Sequence, residues 1–388
     1  MTGKVLFISH SAVRTGAPII LLHLLGWLKE SSDLSFETLL KTGGPLQPQF
    51  EDLGPTRLYD PVPKKRTLSH RIWRRVGFGA SEHEGSIRDL ASRYRAAGIK
   101  LVYANTITNG HLLAGLASLD CPVICHVHEL NSWIVRSGPQ NLDLVKQRAS
   151  HYLAASEAVK CNLTAQHGIP GEMIEVIHGF IPACQTSVPP SVTRRLRRSL
   201  GIPEGAMVVG GSGMEAWRKG KDLFIQLAVA TANTYSEKPV HFVWVGSTGN
   251  DWETFQLEHD IVRAGLADRI HLIGHVPNPL SYFAILDAFA MVSREEPFGL
   301  VCLEAASLGK PILCFADAGG APEFVEDDAG FVVPYLDIQA MADRLVTLFQ
   351  DDGLRLGLGN AAAKKVRERH DVSVGAPKIL RVIERFLN

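Results

Sequence analysis

The sequence has no excess of either charge: 40 Lys and Arg stand against 40 Asp and Glu in 388 residues. A zero balance removes the simplest electrostatic case for a nucleic-acid partner, which needs a basic surface to neutralise phosphates. Cysteine is sparse. Cys121, Cys125, Cys161, Cys184, Cys302 and Cys314 contain no Cys-x-x-Cys pair, and no second Cys/His pair follows at zinc-finger spacing. Long hydrophobic runs are missing too. The longest, Ala17 to Leu28, is too short to span a bilayer and includes His23. Met1 to His10 runs straight into a β-rich stretch, without the apolar core of a signal peptide. The expectation is a reducing, cytoplasmic setting with no integral membrane segment. No sequence repeat, heptad or low-complexity tract stands out. With 46% hydrophobic and 21% charged residues, composition also argues against disorder.

What is present is length and a repeating grammar. A chain of 388 residues exceeds one ordinary core, so two domains of roughly 190 residues are expected. Val5–Ser9 reads as a buried strand, followed by a loop and a helix over Pro18–Lys29, where Pro18 suits the first turn. Further strands are expected at 101–104, 123–127, 152–155 and 175–177. Each is a continuous apolar run, as in a parallel sheet covered on both faces. Between Pro182 and Pro203 the pattern breaks into a linker with a short basic helix around Arg194–Arg198. The grammar then restarts, with strands at 207–211, 241–245, 270–273, 288–292 and 311–314 and a helix over 222–233. This predicts an α/β protein with two doubly wound, Rossmann-like domains facing a cleft. Such sheets bind ligands at the carboxyl ends of their strands. A last helix, from about Ala376 to Leu387, can belong to either half on pattern alone.

The most specific stretch runs from Ser293 to Ala305, joining a strand to a helix that begins near Gly299. A helix start there turns backbone N–H groups and partial positive charge toward a ligand, which suits phosphate. Glu296 lies just before that helix and Glu304 in its early turns. A carboxylate so near an anion site suits hydroxyls better than phosphate, so Glu304 fits a ribose diol; a solvated Glu pair at an ordinary turn is the plain alternative. The context matches. Gly211 to Gly220 follows the first strand of the second half, with Gly213 free to let backbone approach a phosphate and Arg218 and Lys219 placed to neutralise a diphosphate. It is neither a Walker loop nor a dinucleotide fingerprint, because Ala216 breaks Gly-x-Gly-x-x-Gly.

Glu296 and Glu304 form a Glu-x7-Glu motif within SREEPFGLVCLEAASLGKPIL. With WRKGKDLFIQLA and AGGAPEFVEDDAGFVVP, this resembles the retaining GT-B glycosyltransferases of family 4. Weaker likenesses, RTGAPIILLHLL, CHVHEL and ASEAVKCNL, extend the resemblance through the first half. The resemblance implies a donor-binding domain over 184–371 and an acceptor-binding domain over 1–183, with the helix at about 372–388 packing back on the latter. It implies that Glu304 binds ribose hydroxyls and Glu296 the hydroxyls of the donor sugar. Lys219, with Arg218, would hold the diphosphate, and the amides of Phe298, Gly299 and Leu300 would face sugar and phosphate. His128 would sit beside the sugar and Gly16 would border the acceptor side. Two positions depart from the family: Met214 stands where an Arg is common, and His178 where Asn precedes Gly.

The implied reaction is metal-independent transfer of a hexose from a nucleotide-diphosphate sugar to a saccharide or lipid-linked acceptor, in polysaccharide or glycolipid assembly. No cofactor and no metal are expected, since no Asp-x-Asp occurs in the chain and Lys, Arg and a helix terminus can take the metal's role. Of His126, His128 and Glu129, strand alternation puts the two histidines on one face, where no third metal ligand is identifiable, and His126 reads as a packed strand residue. The alternatives are a GT-B-like sugar-nucleotide epimerase or hydrolase, and a non-catalytic two-domain binding protein. Residues 64–78 hold six cations, no acid, and Leu68, Ile72 and Val76 at helical spacing. They suit either a solvated loop or peripheral contact with an anionic membrane at its inner face.

Overall fold

The computed structural model describes residues 3–59, 81–183, 187–214, 216–247 and 252–387. The basic stretch 64–78 lies outside them. The chain divides into two compact units, Met1–His178 with Gly375–Asn388, and Gly179–Val374.

The first unit holds a seven-stranded sheet, all of whose neighbouring strands are parallel. Its strands are β1 (Lys4–Ser9), β2 (Phe36–Leu40), β3 (Thr56–Leu58), β4 (Ile99–Ala104), β5 (Val123–Val127), β6 (His151–Ala154) and β7 (Ile174–Val176). Their order is β3-β2-β1-β4-β5-β6-β7. Val5, Leu6, Phe7 and Ile8 are fully buried, because helices cover both faces of such a sheet. The helix Gly16–Ser31 carries Pro18 in its first turn and buries Ile20, Leu21, Leu24, Leu25 and Leu28. The helix Val372–Leu387 ends in this unit: Arg385 pairs with Glu175 at 2.8 Å and Phe386 packs on His151, ring centroids 5.6 Å apart.

The second unit repeats the plan with six parallel strands. They are β8 (Met207–Ser212), β9 (Val240–Ser247), β10 (Ile270–Gly274), β11 (Ala288–Met291), β12 (Ile312–Phe315) and β13 (Gly330–Val333), in the order β10-β9-β8-β11-β12-β13. The linker helix spans Pro190–Ser199 and buries no residue; Arg194, Arg195 and Arg198 are exposed, whereas the half-buried Arg197 donates to the Ala206 carbonyl. In both sheets the chain reverses its direction of travel at the first strand, between β1 and β4 and between β8 and β11. Doubly wound sheets open a ligand crevice at that point, outside the carboxyl ends.

Cys125, Cys302 and Cys314 are buried free thiols, whereas Cys161 is exposed. Among the described residues no helix is long and apolar enough to cross a membrane.

Candidate active site

In the second unit, β8 ends at Ser212 and the chain turns through Gly213 into a single tight turn, Trp217–Lys219, before the helix Lys221–Thr234. The turn is held against the end of β11. The Arg294 N–H donates to the Arg218 carbonyl at 2.7 Å, and Gly220 adopts φ +71°. A Cβ on Gly220 would lie 2.1 Å from the Val292 carbonyl oxygen, so only glycine allows this approach. A Cβ on Gly213 would in turn strike the stem of Lys219 at 2.9 Å.

This packing delivers Lys219 to Glu296. The Lys219 ammonium donates to Glu296 Oε2, the Ser293 hydroxyl donates to the same oxygen at 3.3 Å, and Arg218 Nη1 lies 3.6 Å from it. Glu296 is 7% exposed. Its backbone is fixed on the other side: the Glu296 N–H donates to the Ala318 carbonyl at 2.7 Å, and the Gly320 N–H donates to the Glu296 carbonyl at 2.9 Å. Burial alone would raise the Glu296 carboxyl, but Lys219 and Arg218 outweigh it and hold the group below the usual carboxylate range. Burial pulls the Lys219 ammonium down, and Glu296 restores part of the loss. Two cations share one carboxylate. The surplus positive charge, beside a helix start, suits an incoming diphosphate.

The helix Leu300–Ser307 follows, with Gly299 as an extended N-cap that supplies no side-chain cap, so its first N–H groups have no capping side chain. Glu304 is half-buried within it. Phe298 is buried and stacks on His370, centroids 5.4 Å apart, while His370 Nδ1 meets the Gly179 carbonyl at 3.1 Å. Beside Lys219, Arg294 grips Asp222 with two bonds of 2.9 and 2.6 Å and donates to the Trp217 carbonyl at 2.8 Å. That pair locks the loop to the helix behind it and lowers the Asp222 carboxyl, its burial being overcome by Arg294.

The first unit assembles a different cluster at the carboxyl ends of β1, β4 and β5. His128 Nε2 donates to the Asn105 side-chain oxygen at 3.1 Å, and Asn105 Nδ2 donates to the Ala17 carbonyl at 2.7 Å. Asn105 thus ties His128 to the start of the helix that opens at Gly16. Glu129, buried, accepts from the Thr106 hydroxyl and from the His128 N–H at 2.9 Å. Burial and then His10 push the His128 imidazole down to about 3, and burial and then Lys41 push His10 down to about 4, so both rings are neutral at pH 7. His126 packs against His128 with the rings tilted and their centroids 3.9 Å apart, and meets the Tyr103 hydroxyl at 2.6 Å through Nδ1, packed as a strand residue.

Residues 192–365 match the family described as Glycosyl transferases group 1. A D-inositol 3-phosphate glycosyltransferase of Corynebacterium urealyticum is 31% identical over 174 residues, 44% of this chain and 41% of that protein. The lipopolysaccharide core biosynthesis mannosyltransferase LpsB of Rhizobium meliloti is 30% identical over 182 residues, 45% of this chain and 50% of that protein. The chain therefore spans about half the length of the curated relatives it matches. Among solved structures, Anabaena Alr3699/HepE in complex with UDP superposes with a TM-score of 0.81 at 23% identity, covering 98% of this chain and 100% of that one. A sucrose-phosphate synthase of Thermosynechococcus elongatus superposes with a TM-score of 0.77 at 16% identity, covering 99% and 98%. The chain has the GT-B fold.

Within this GT-B protein the sequence-predicted residues fall into two groups. Gly213, Arg218, Lys219, Glu296, Phe298, Gly299, Leu300 and Glu304 lie in the second unit; Gly16 and His128 lie in the first. Met214 is 50% exposed, and His178 closes the first unit. Sequence reasoning missed Asn105, Ser293, Gly220 and the Arg294–Asp222 pair as site elements. Asn105 carried one usable signal, since it directly follows a buried strand at the reversal point.

Proposed function

We propose that this GT-B chain is a retaining, metal-independent glycosyltransferase of family 4. In this reading it moves a hexose from a nucleotide-diphosphate sugar to a hydroxyl of a saccharide or lipid-linked acceptor in polysaccharide or glycolipid biosynthesis. The observation that carries it is the Lys219–Arg218–Glu296 cluster at the reversal point of the second sheet, directly before the helix bearing Glu304. The group 1 match covers the same residues.

Glu304 takes the ribose hydroxyls and Lys219 with Arg218 the diphosphate. The amides of Phe298, Gly299 and Leu300 face phosphate and sugar, and Glu296 takes sugar hydroxyls. Bond breaking at the anomeric carbon leaves an oxocarbenium-like sugar and negative charge on the leaving phosphate. The two preorganised cations stabilise that charge without a metal, in keeping with the lack of Asp-x-Asp in the sequence. The acceptor oxygen attacks from the face the phosphate leaves, and its proton passes to the departing phosphate. The first unit's part is a neutral imidazole, His128, for hydrogen bonding to the sugar, with Gly16 bordering the acceptor. Contact with an anionic membrane through residues 64–78 would bring a lipid-linked acceptor within reach.

A thermal-shift screen of nucleotide-sugars tests the reading, because a bound donor raises apparent stability by mass action. UDP-glucose is the first probe, since the HepE neighbour is seen with it. A stabilising donor should lose at least about tenfold in affinity, ~1.4 kcal/mol, in Glu304→Ala. Unchanged nucleotide affinity in that variant would overturn the site assignment.

A further inference from the structure

The second unit carries a groove of about 680 Å³ lined chiefly by Trp217, Asp222, Phe255, Gln256, His259 and Asp260. Two of its lining rings face water, Trp217 at 64% and Phe255 at 57% exposed, and Trp252, which stacks on Phe255, is 71% exposed. Single exposed aromatics need no explanation, but a cluster of them marks a contact surface.

The helix Trp252–Arg263 shows how the cluster is built. Trp252, Phe255, Gln256, His259 and Asp260 fall at i, i+3, i+4, i+7 and i+8, one face of the helix. Ile261 is buried on its other side, and Leu257, also buried, reaches the groove wall. Trp252 and Phe255 stack nearly parallel, at 20° and 5.2 Å between centroids. Across the groove Trp217 is held firmly despite its exposure. Its carbonyl accepts from Arg294, whose guanidinium lies 5.3 Å from the indole centroid and is itself anchored on Asp222. Rings that are rigid before a ligand arrives lose little freedom on binding.

The polar lining narrows the ligand class. Among the described lining residues there is no Lys or Arg; Asp222 is already paired with Arg294, which leaves the Asp260 carboxylate as the unpaired charge of the lining, and that disfavours phosphate-bearing ligands. Among the described residues the side chains of Gln256, His259 and Asp260 make no hydrogen bond, which leaves an amide, an imidazole and a carboxylate free to meet hydroxyl groups.

We propose that this groove is a second saccharide-binding site, taking a neutral oligosaccharide whose C–H faces stack on Trp217 and the Trp252–Phe255 pair while its hydroxyls meet Gln256, His259 and Asp260. The site goes beyond the donor reading, because the donor's phosphates belong to Lys219 and Arg218, and it stands or falls separately from transfer.

The test applies labelled full-length protein to an array of neutral hexose oligosaccharides (maltose, mannose and galactose series), acidic oligosaccharides and oligolysine, beside Phe255→Ala, Trp252→Ala and Asp260→Ala. Wild-type protein should bind at least one neutral series. Phe255→Ala and Trp252→Ala should lose at least about tenfold in affinity, with thermal unfolding unchanged because both rings are exposed. Asp260→Ala should weaken binding without touching a ring, a check if either aromatic variant folds poorly. No binding to any neutral series, binding confined to oligolysine or acidic glycans, or full binding by all three variants overturns the proposal. Loss of glycan binding in Phe255→Ala alongside an unaffected Glu304→Ala would support the groove while removing the donor assignment.

Discussion

At the ends of β8 and β11, Lys219, Arg218 and Glu296 are ions paired at contact distance, two cations on one carboxylate. At the ends of β1, β4 and β5, His10, Asn105 and His128 are neutral groups linked through hydrogen bonds and packing. Both clusters stand at the reversal point of a parallel sheet with the same strand order. The fold therefore supplies the place, and the loop residues supply the chemistry. Burial acts on both clusters, with opposite outcomes. It strips charge from imidazoles that have no carboxylate partner among their hydrogen bonds, and it is overruled at Glu296 by two cations.

The contrast is broken most severely at Glu296. Glu296→Ala leaves Lys219 buried without its carboxylate, and the loss should be about 3–5 kcal/mol, read by urea unfolding of the second unit. Replacing both partners by apolar residues, Lys219→Met with Glu296→Leu, should recover most of that stability while donor binding stays lost. A single-variant loss below about 1 kcal/mol would show that the pair behaves like a solvated one.

Glycines give the next largest difference. Gly220→Ala forces a left-handed residue, at least about 1–2 kcal/mol before the overlap with the Val292 carbonyl is counted. Gly16 opens a helix in the first unit and has open space around its would-be Cβ. Gly16→Ala should shift stability by less than about 0.5 kcal/mol, so any loss of transfer in that variant reports on a ligand. Differential scanning calorimetry of both variants checks the pair.

These residues also show what local sequence could carry. Strands buried on both faces are continuous apolar runs, and Val123–Val127 was legible to its bounds. β2 was not, because Glu37 and Thr38 interrupt it: Glu37 pairs with Lys4 across the sheet at 2.7 Å and Thr38 is buried in polar form. β3, Thr56–Leu58, is an edge strand with Arg57 at its centre, so no continuous apolar run marks it. The Glu-x7-Glu stretch and the Arg218-Lys219 loop were legible because each is contiguous. Arg294 and Asp222 are 72 residues apart, and Asn105 and Ala17 are 88 apart, so their pairing emerges only when the sheet brings loop ends together.

The smallest effect is the most discriminating, because it reads charge state directly. Asn105→Ala removes one acceptor and one donor and should cost about 1 kcal/mol, yet it leaves His128 without a carboxylate. Asn105→Asp instead gives the imidazole the kind of partner that Glu296 has in Lys219. The His128 pKa lies near 3 in the folded chain and near 6.5 when unfolded. Between those values the unfolded state holds a proton that the folded state lacks, so stability falls as pH drops from about 6.5 toward 3. His241, held near 4 by burial and then by His271, acts in the same window in the second unit. The informative quantity is therefore the difference between variants and not the wild-type slope. Asn105→Asp should flatten the slope of unfolding free energy between about pH 6.5 and 4.5 by up to about one proton. Glu296→Gln should leave that window alone. Its depressed carboxyl stabilises the fold above the unfolded value of about 4.5, a contribution lost only as pH falls further, so its effect is confined to the acid end. Equal slopes in wild type and Asn105→Asp across the upper window would mean that His128 is not kept neutral by its surroundings, and the contrast between the two clusters would fail at that residue.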